Sequence, residues 1–289
     1  MTGILIVNKP EGWTSHDVVA KLRRVLGERR IGHGGTLDPM ATGVLPDFVG
    51  RATRAVEFME NADKEYIAAL RLGVTTDTQD TTGSILTERP VNVSQEALEA
   101  ALEPFRGEIE QLPPMYSAIK VDGKKLYEYA RKGTEVERKT RKISIYELEL
   151  MGRREDGDYL LRVVCSKGTY IRALCSDIGD ALGCGGAMSG LVRSRAGAYR
   201  LEQAHTMEDI IAAGSEGAPG FLLSLESMFA MYPAVTVGQA DEKRCRNGLA
   251  PRLKAAPGGR FRLLSESGEF LAICENQGEV RIIKSFYEV

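Results

Sequence analysis

Short apolar runs and amphipathic stretches alternate along the first third of the chain. Apolar residues from Gly3 to Asn8 end at a turn, which predicts a buried strand. Ser15 is suited to cap a helix whose apolar residues recur at helical spacing until Gly27. A strand from Lys64 to Leu72 and a helix capped by Ser94 come next. This succession predicts an α+β fold.

The middle of the chain predicts a hairpin and then a helix. Two apolar runs, Lys142 to Leu150 and Tyr159 to Cys165, flank a polar turn and should pair as antiparallel strands. From Thr169 to Leu182 the apolar residues return to helical spacing, which places Arg172 near the first helical turn.

The pattern changes near Tyr232-Pro233, after which short apolar runs are separated by turn residues. These runs are 234–237, 261–264, 270–274 and 280–283. We therefore expect two domains, a main domain of residues 1–230 and a small β-rich domain of residues 231–289.

The stretch from Ile31 to Pro46 is rich in glycine, proline and threonine, which disfavours a helix interior or a central strand and predicts an ordered loop. Its apolar residues suggest an underside that docks on a core. Asp38 lies in the middle, and Pro39 biases it toward extended geometry. Such a carboxylate suits a catalytic acid, base or nucleophile, whereas spacing alone favours an Asp-Pro turn with a locally bonded side chain.

At 289 residues the chain is long enough for a sizeable core. It has no apolar run that could span a bilayer and no signal-peptide layout at its start, so we expect no membrane association and a cytoplasmic location. Its five cysteines form no Cys-x-x-Cys pair and have no histidine at ligand spacing, which indicates neither a disulfide framework nor a metal site.

Charge is unevenly distributed within a net charge of −2. Residues 116–143 hold nine Lys or Arg against four Asp or Glu, and residues 162–200 hold six against two. The first segment also interleaves aromatic residues with its cations, a mixture that can grip phosphate and stack on bases. These segments are consistent with a basic face that binds a polyanion or with ordinary solvated surfaces.

The run Gly32-His33-Gly34-Gly35-Thr36-Leu37-Asp38-Pro39, with Ala41 to Pro46 after it, resembles the catalytic motif of the bacterial TruB family, the tRNA pseudouridine-55 synthases. Other stretches resemble further motifs of the family, in the family's order: Val7-Asn8-Lys9-Pro10, Lys64-x-Tyr66, Pro114 to Ala118, and Ser166 to Arg172. The resemblance covers most of residues 3–200, and the tail resembles the family's PUA-like RNA-binding domain.

The resemblance implies a mixed, mainly antiparallel sheet flanked by helices, and an isomerase that rebuilds a uridine of the tRNA T-loop, position 55, as pseudouridine without metal or cofactor. It assigns the nucleophile to Asp38 and its cationic partner to Arg172. The resemblance further implies roles in catalysis or substrate binding. Tyr66 would stack on the flipped uracil, His33 would fill the space the base leaves, and Leu191 would line the pocket. Lys9 and Tyr170 belong to matching motifs.

One position departs from the resemblance. The residue after Pro46 is usually apolar in the family, whereas here it is Asp47. A carboxylate buried near Asp38 would raise the pKa of that residue, but we expect Asp47 to point to solvent.

Two rival functions use the same residues differently. A passive RNA-binding protein would need only the basic segments and the tail, and would have no use for a desolvated carboxylate beside phosphates. A nucleoside or sugar hydrolase would normally need two carboxylates. For the favoured enzyme we expect the tRNA T-stem-loop as partner, a monomer, and no obligate protein partner.

Overall fold

A mixed sheet of ten strands organises the main part of the chain. The computed structural model describes residues 1–253 and 255–287. Its strands are β1 (Gly3–Lys9), β2 (Ile31–His33), β3 (Thr42–Val49), β4 (Lys64–Leu72), β5 (Val74–Thr76), β6 (Ile85–Glu88), β7 (Gly107–Gln111), β8 (Lys120–Val121), β9 (Lys124–Lys125), β10 (Arg141–Arg153), β11 (Tyr159–Cys165), β12 (Gly186–Ala196), β13 (Tyr199–Arg200), β14 (His205–Thr206), β15 (Ala234–Val237), β16 (Gly259–Ser265), β17 (Phe270–Asn276) and β18 (Val280–Ser285).

The helices pack against this framework. They are α1 (Ser15–Leu26), α2 (Val56–Glu60), α3 (Gln95–Leu102), α4 (Leu126–Ala130), α5 (Ile171–Ala181), α6 (Met207–Gly217) and α7 (Gln239–Arg246). The large sheet runs β14-β1-β3-β12-β4-β11-β10-β7, with β2 beside β3 and β13 beside β12. Most neighbours are antiparallel, while β1·β14 and β3·β12 are parallel. The predicted fold class is confirmed.

The local predictions agree closely with these elements. The strand at 64–72, the hairpin of β10 and β11, the position of Arg172 at the start of α5 and the four strands of the tail are all present. They succeed because each is a run of buried apolar residues between turn residues, a pattern that tertiary context seldom overrides.

The predicted cap of α1 was wrong by one residue. Thr14 is the N-cap: its hydroxyl accepts a hydrogen bond from the Asp17 backbone N–H at 3.1 Å, and the Asp17 carboxylate accepts one from the Thr14 N–H at 2.8 Å. This reciprocal capping box satisfies two unpaired backbone donors at once. It leaves the Ser15 hydroxyl free for another contact.

The prediction of a continuous loop over 31–46 was also wrong, because β2 and the first half of β3 lie within it. Gly43 has a φ of +100°, and a Cβ there would lie 2.3 Å from the Arg193 carbonyl oxygen of β12. Glycine therefore permits the close pairing of β3 with β12. Pro46 lies between the residues of β3 that pair with β12 and those that pair with β2, where a missing N–H is tolerated.

The tail shares a core with the main domain. Ile273 and Phe286 belong to the same buried cluster as Val44 and Phe48 of β3. A second cluster, which includes Val237, Phe261 and Leu263, lies within the tail. The small sheet β15-β16-β17-β18 is thus anchored on the underside of the strand that follows Asp38.

Candidate active site

Asp38 lies in the short connection between β2 and β3, and polar contacts hold the chain on both sides of it. The Leu37 N–H donates to the Ser15 hydroxyl at 2.9 Å, and that hydroxyl lies 3.2 Å from the Leu37 carbonyl oxygen. On the other side, the Ala41 N–H donates to the Asp38 carbonyl at 3.0 Å. Leu37 and Ala41 themselves are buried in the core. The Asp38 carboxylate keeps 40% of its surface exposed, so it is fixed and still accessible.

Arg172 meets Asp38 from the first turn of α5. Its Nε lies 2.9 Å from Asp38 Oδ2, and its side chain is almost wholly buried. Its other two nitrogens donate to backbone carbonyls, Nη1 to Thr78 and Nη2 to Tyr116, each at 2.9 Å. The expected partner is therefore in place, but it contacts Asp38 through one nitrogen and not through a two-point fork. The guanidinium instead joins α5 to two further segments.

A second carboxylate, Asp80, faces the same guanidinium at 3.7 Å from Nη1. Its Oδ1 accepts hydrogen bonds from the Thr78 hydroxyl at 2.8 Å, the Thr82 hydroxyl at 2.6 Å and the Thr82 N–H at 3.0 Å. Asp80 was not predicted as a site residue, since the sequence showed only a polar turn from Asp77 to Gly83. Threonines two residues either side of an aspartate are the signal that could have marked it as a folded motif.

Lys9 supports the loop from below. Its side chain is buried, and Nζ donates to the carbonyls of Pro10 at 2.8 Å, Trp13 at 2.6 Å and Pro39 at 3.1 Å. Burial lowers the pKa of Lys9 to about 8, although Asp38 and Glu11 oppose this shift. Lys9 therefore ties the turn after β1 to the residue that follows Asp38.

Tyr66, Leu191 and Arg193 line the sheet beside Asp38. Tyr66 of β4 pairs directly with Arg193 of β12, and Ala68 pairs with Leu191, so the three side chains share one face. Tyr66 and Leu191 belong to the same buried cluster as Leu37. Burial raises the pKa of the Tyr66 hydroxyl, and Arg193 opposes this. The phenol therefore stays protonated at neutral pH.

Arg193 is a residue that sequence reasoning missed. It is 1% exposed, and its guanidinium donates to the carbonyls of Val44 at 2.7 Å, Gly35 at 3.1 Å and Thr36 at 3.4 Å. These carbonyls lie on both sides of Asp38. Arg193 thus clamps the two ends of the connection that holds Asp38, a role that follows from the pairing of β12 with β3 and left no local signal.

His33 and Tyr170 lie at the edges of the site. The His33 ring meets the ring of His16 edge-on at 5.9 Å between centroids, and burial lowers the pKa of His33. Tyr170 directly precedes α5, where its backbone N–H donates to Gln111 Oε1 at 2.8 Å and its carbonyl accepts from Gln111 Nε2 at 3.1 Å. Burial raises the pKa of the Tyr170 hydroxyl. The structure gives the positions of all seven predicted site residues, and their roles stay predictions.

Asp47 does not point to solvent, contrary to expectation. It is completely buried, and neither carboxylate oxygen has a hydrogen-bond partner among residues 1–253 and 255–287. Its side chain faces the core under α1, because Asp47 alternates with Pro46 and Phe48 along β3. Burial raises the pKa of this carboxyl well above its ordinary value.

The two basic segments differ in the structure. Residues 120–130 form β8, β9 and α4, where Lys125 and Arg131 lie over the Tyr127 ring at 5.4 and 5.3 Å. Most of the remaining cations in 116–143 are exposed. In 162–200, by contrast, Arg172 and Arg193 are buried, and Arg162 pairs with Glu65, Glu147 and Glu149. The second basic surface is therefore largely consumed by internal contacts.

The part of the chain that the structure describes contains no group of His, Cys, Asp or Glu side chains arranged to hold a metal ion. Within the same residues, no helix is long and apolar enough to cross a membrane.

Comparison with solved structures places this architecture among known ones. A chain of a Cbf5-Nop10-Gar1 complex matches with a TM-score of 0.73 and 27% identity, covering 99% of this chain and 85% of that one. A chain of an archaeal box H/ACA Nop10-Cbf5 complex matches with a TM-score of 0.70 and 26% identity, covering 99% of this chain and 86% of that one. The fold is thus shared with proteins of ribonucleoprotein complexes.

Family models define the class of enzyme as pseudouridylate synthase. A model described as the N-terminal domain of TruB family pseudouridylate synthase matches residues 23–171, and one described as the C-terminal domain of tRNA pseudouridylate synthase B matches residues 172–228. The chain belongs to the TruB family. The predicted family and enzyme class are confirmed.

Two curated relatives agree with this membership. The tRNA pseudouridine synthase B of Geobacillus kaustophilus is 46% identical over 263 residues, which are 88% of this chain and 92% of the relative. The tRNA pseudouridine synthase B of Clostridium kluyveri is 42% identical over 292 residues, which are 99% of this chain and 100% of the relative.

Proposed function

We propose that this chain converts the uridine at position 55 in the T-loop of tRNA into pseudouridine, with Asp38 as the nucleophile. The observation that carries the proposal is the Asp38 carboxylate, accessible yet held 2.9 Å from a buried guanidinium. The reaction breaks the N-glycosidic bond, turns the uracil and rejoins it through carbon five. It is an isomerisation, so no atom is gained or lost.

Asp38 can act by either of two routes. As a nucleophile it attacks the sugar and holds it while the uracil turns; alternatively it supports proton abstraction from the sugar. In both routes the carboxylate must be ionised and aimed. Arg172 supplies the positive charge, and its backbone contacts to Thr78 and Tyr116 prevent it from turning away.

The residues around Asp38 suit a flipped base. A uridine within a folded RNA loop must leave its stack before chemistry can occur. Tyr66 presents a protonated phenol beside Asp38 for stacking, Leu191 forms the apolar wall, and His33 stands at the rim, where it can fill the space that the base leaves. Lys9 and Tyr170 support the loop and the start of α5.

RNA binding is proposed to use the segment 116–143. Its exposed cations surround Tyr127, a combination that contacts phosphates and stacks on bases. Because the Tyr116 carbonyl accepts from Arg172, the base of this segment is directly bonded to the catalytic pair. Its phosphate contacts should make binding strongly salt-dependent.

The tail, residues 231–289, is proposed as a PUA-like domain that adds RNA contacts. Deleting the tail is not a suitable test, because it would remove Ile273 and Phe286 and so uncover the residues of β3 that pack against them. Charge reversal at the exposed Lys243 and Arg252 avoids this damage. The double variant should weaken tRNA binding and reduce its salt dependence, while single-turnover chemistry at saturating RNA stays normal. Loss of chemistry at saturating RNA would contradict the proposed division of labour.

A monomeric state and a cytoplasmic location stay predictions.

The decisive experiment substitutes Asp38→Asn and measures uridine-to-pseudouridine conversion in tRNA, together with tRNA affinity. Asparagine keeps the size of the side chain and removes its charge and nucleophilicity. Conversion should fall by orders of magnitude while affinity changes little, because cations elsewhere hold the phosphates. The matched control is Asp156→Asn, which removes an aspartate of similar exposure from its ion pair with Arg154 outside the site. Near-normal conversion by Asp38→Asn would end the proposal and favour a passive RNA-binding role.

A further inference from the structure

Asp47 and His33 occupy directly opposed positions on neighbouring strands. β2 and β3 are antiparallel, and their register pairs Ile31 with Val49 and His33 with Asp47. Opposed residues of antiparallel strands project from the same face, with Cβ atoms about 4.5–5.5 Å apart. Both side chains therefore lie on the face covered by α1, the face on which Ile31 and Val49 belong to the buried cluster.

Each of these side chains has a buried polar atom without a partner. Nδ1 of His33 and both carboxyl oxygens of Asp47 are inaccessible to solvent and make no hydrogen bond within residues 1–253 and 255–287. An unpaired buried polar group lowers the stability of the fold. Two such groups at opposed positions can satisfy each other through a small side-chain rotation.

The surroundings offer Asp47 no better partner. On the other side of β3 its opposed residue is Leu5 of β1, which is apolar. The charged group that acts on it is Arg193 of β12, whose Nε, Nη1 and Nη2 each donate to one carbonyl, of Val44, Thr36 and Gly35 respectively. From α1, His16 presents its ring edge-on to His33.

We propose that Asp47 is a positioning residue that donates a hydrogen bond from its carboxyl group to Nδ1 of His33, and so keeps the imidazole in the tautomer that carries its proton on Nε2. The Nε2–H of this side chain, at the edge of the site, is then a fixed donor. The hydrogen bond also removes the unpaired atoms of both residues.

The direction of donation follows from the charge state of both groups. Burial raises the pKa of Asp47 well above its ordinary value, and Arg193 opposes this shift, so burial favours the protonated carboxyl. Burial and the neighbouring His16 and Arg193 lower the pKa of His33, although the Gly35 carbonyl opposes this, so the imidazole is neutral. A neutral acid opposite a neutral imidazole donates, and Nδ1 accepts.

The test reads the tautomer of His33 in the full-length protein by long-range ¹H–¹⁵N NMR at neutral pH. The chain has three histidines, so His16→Gln and His205→Gln variants complete the assignment. The unmodified protein should show the Nε2–H tautomer in about tenfold excess, the factor expected for one net hydrogen bond. An Nδ1–H tautomer or an even mixture would overturn the proposal, whatever the variants do.

Two substitutions separate positioning from packing. Asp47→Asn keeps a donor, the side-chain amide, and should retain the Nε2–H excess; Asp47→Leu removes the donor, and the excess should fall to the smaller one that an unbonded imidazole has. If the leucine variant retains the full excess, or the asparagine variant loses it, Asp47 is not the partner of His33. An effect on uridine conversion of up to about tenfold, in the leucine variant alone, is expected only if the proposed function holds. The NMR result does not depend on uridine conversion, so a failure of the proposed hydrogen bond can be distinguished from a failure of the proposed function.

Discussion

Asp38 and Asp47 lie a few residues apart in one chain segment and occupy opposite environments. Asp38 is partly exposed and has Arg172 at 2.9 Å. Asp47 is buried between β1 and β2; neither of its carboxyl oxygens has a hydrogen-bond partner within the described residues, and the charge that acts on it is that of Arg193. The side chains are chemically identical, so the difference lies wholly in what the fold places around them.

The contrast shows how one segment of the chain can place two aspartates in different environments. Asp38 belongs to the connection that precedes β3, where the chain is free to bring a carboxylate to the surface. Asp47 belongs to β3 itself, where the alternation of side chains sends every second residue into the core. The first position keeps a carboxylate accessible, whereas burial at the second raises the pKa of the carboxyl.

The same substitution at both positions tests whether the two aspartates have different functions. Asp38→Asn should lower single-turnover conversion by about 10⁴-fold, roughly 5.5 kcal/mol of transition-state stabilisation. Asp47→Asn, which keeps a donor, should stay within a few-fold of the unmodified enzyme. Equal losses at both positions, measured on one tRNA preparation, would show that the two carboxylates are not functionally distinct.

Removing the clamp should disturb both environments together. Arg193→Met should lower the free energy of unfolding by about 3–5 kcal/mol, because it removes a buried guanidinium that donates to the carbonyl of buried Val44 and to those of Gly35 and Thr36. Chemical denaturation measures this. Arg195→Met, on the same strand but partly exposed, is the matched control and should cost about 1 kcal/mol or less. Similar losses for the two variants would mean that the clamp has no special role.

Changing only the partner of Asp38 should leave Asp47 untouched. Arg172→Lys keeps the charge but cannot reach Asp38, Thr78 and Tyr116 at once, so conversion should fall roughly a hundredfold, about 2.7 kcal/mol. In the double variant with Asp38→Asn the losses should be non-additive, since both act on one carboxylate. Rates that simply multiply would place Arg172 in a separate role.

The smallest effect is a pH dependence of stability that belongs to Asp47. Its pKa is raised on folding, so between about pH 4 and the raised value the folded chain holds a proton that the unfolded chain has released. Stability should therefore fall as pH rises through this window, and Asp47→Asn should not share that fall. The difference in unfolding free energy between the two proteins should grow by up to about 1.4 kcal/mol per pH unit. A difference independent of pH would show that Asp47 is ionised in the folded state.

Sequence patterns predicted what depends on neighbouring residues. The strand at Lys64–Leu72 and the start of α5 near Arg172 follow from local apolar periodicity, and the motif around Asp38 pointed to the pairing of Asp38 with Arg172. The burial of Asp47 could not be read in the same way. It depends on β2 and β1 flanking β3, and the glycines and prolines of that segment argued against a central strand there.

Long-range pairing explains the other omissions. Arg193 reaches Gly35 and Thr36 only because β12 lies beside β3, more than a hundred residues away in sequence. Asp80 joins Arg172 because an inconspicuous turn folds back over α5. Such contacts are set by topology, whereas composition suggested that the cations of 162–200 would be on the surface.

The buried cluster that joins Ile273 and Phe286 to Val44 and Phe48 affects how the chain can come apart. Domains that share a core cannot melt one after the other without exposing that core, so heating should produce a single cooperative transition in place of two. The boundary visible in the sequence is then a boundary of architecture and not of folding. A change in the tail that loosens this cluster would also disturb the packing of β3, the strand that carries Asp47.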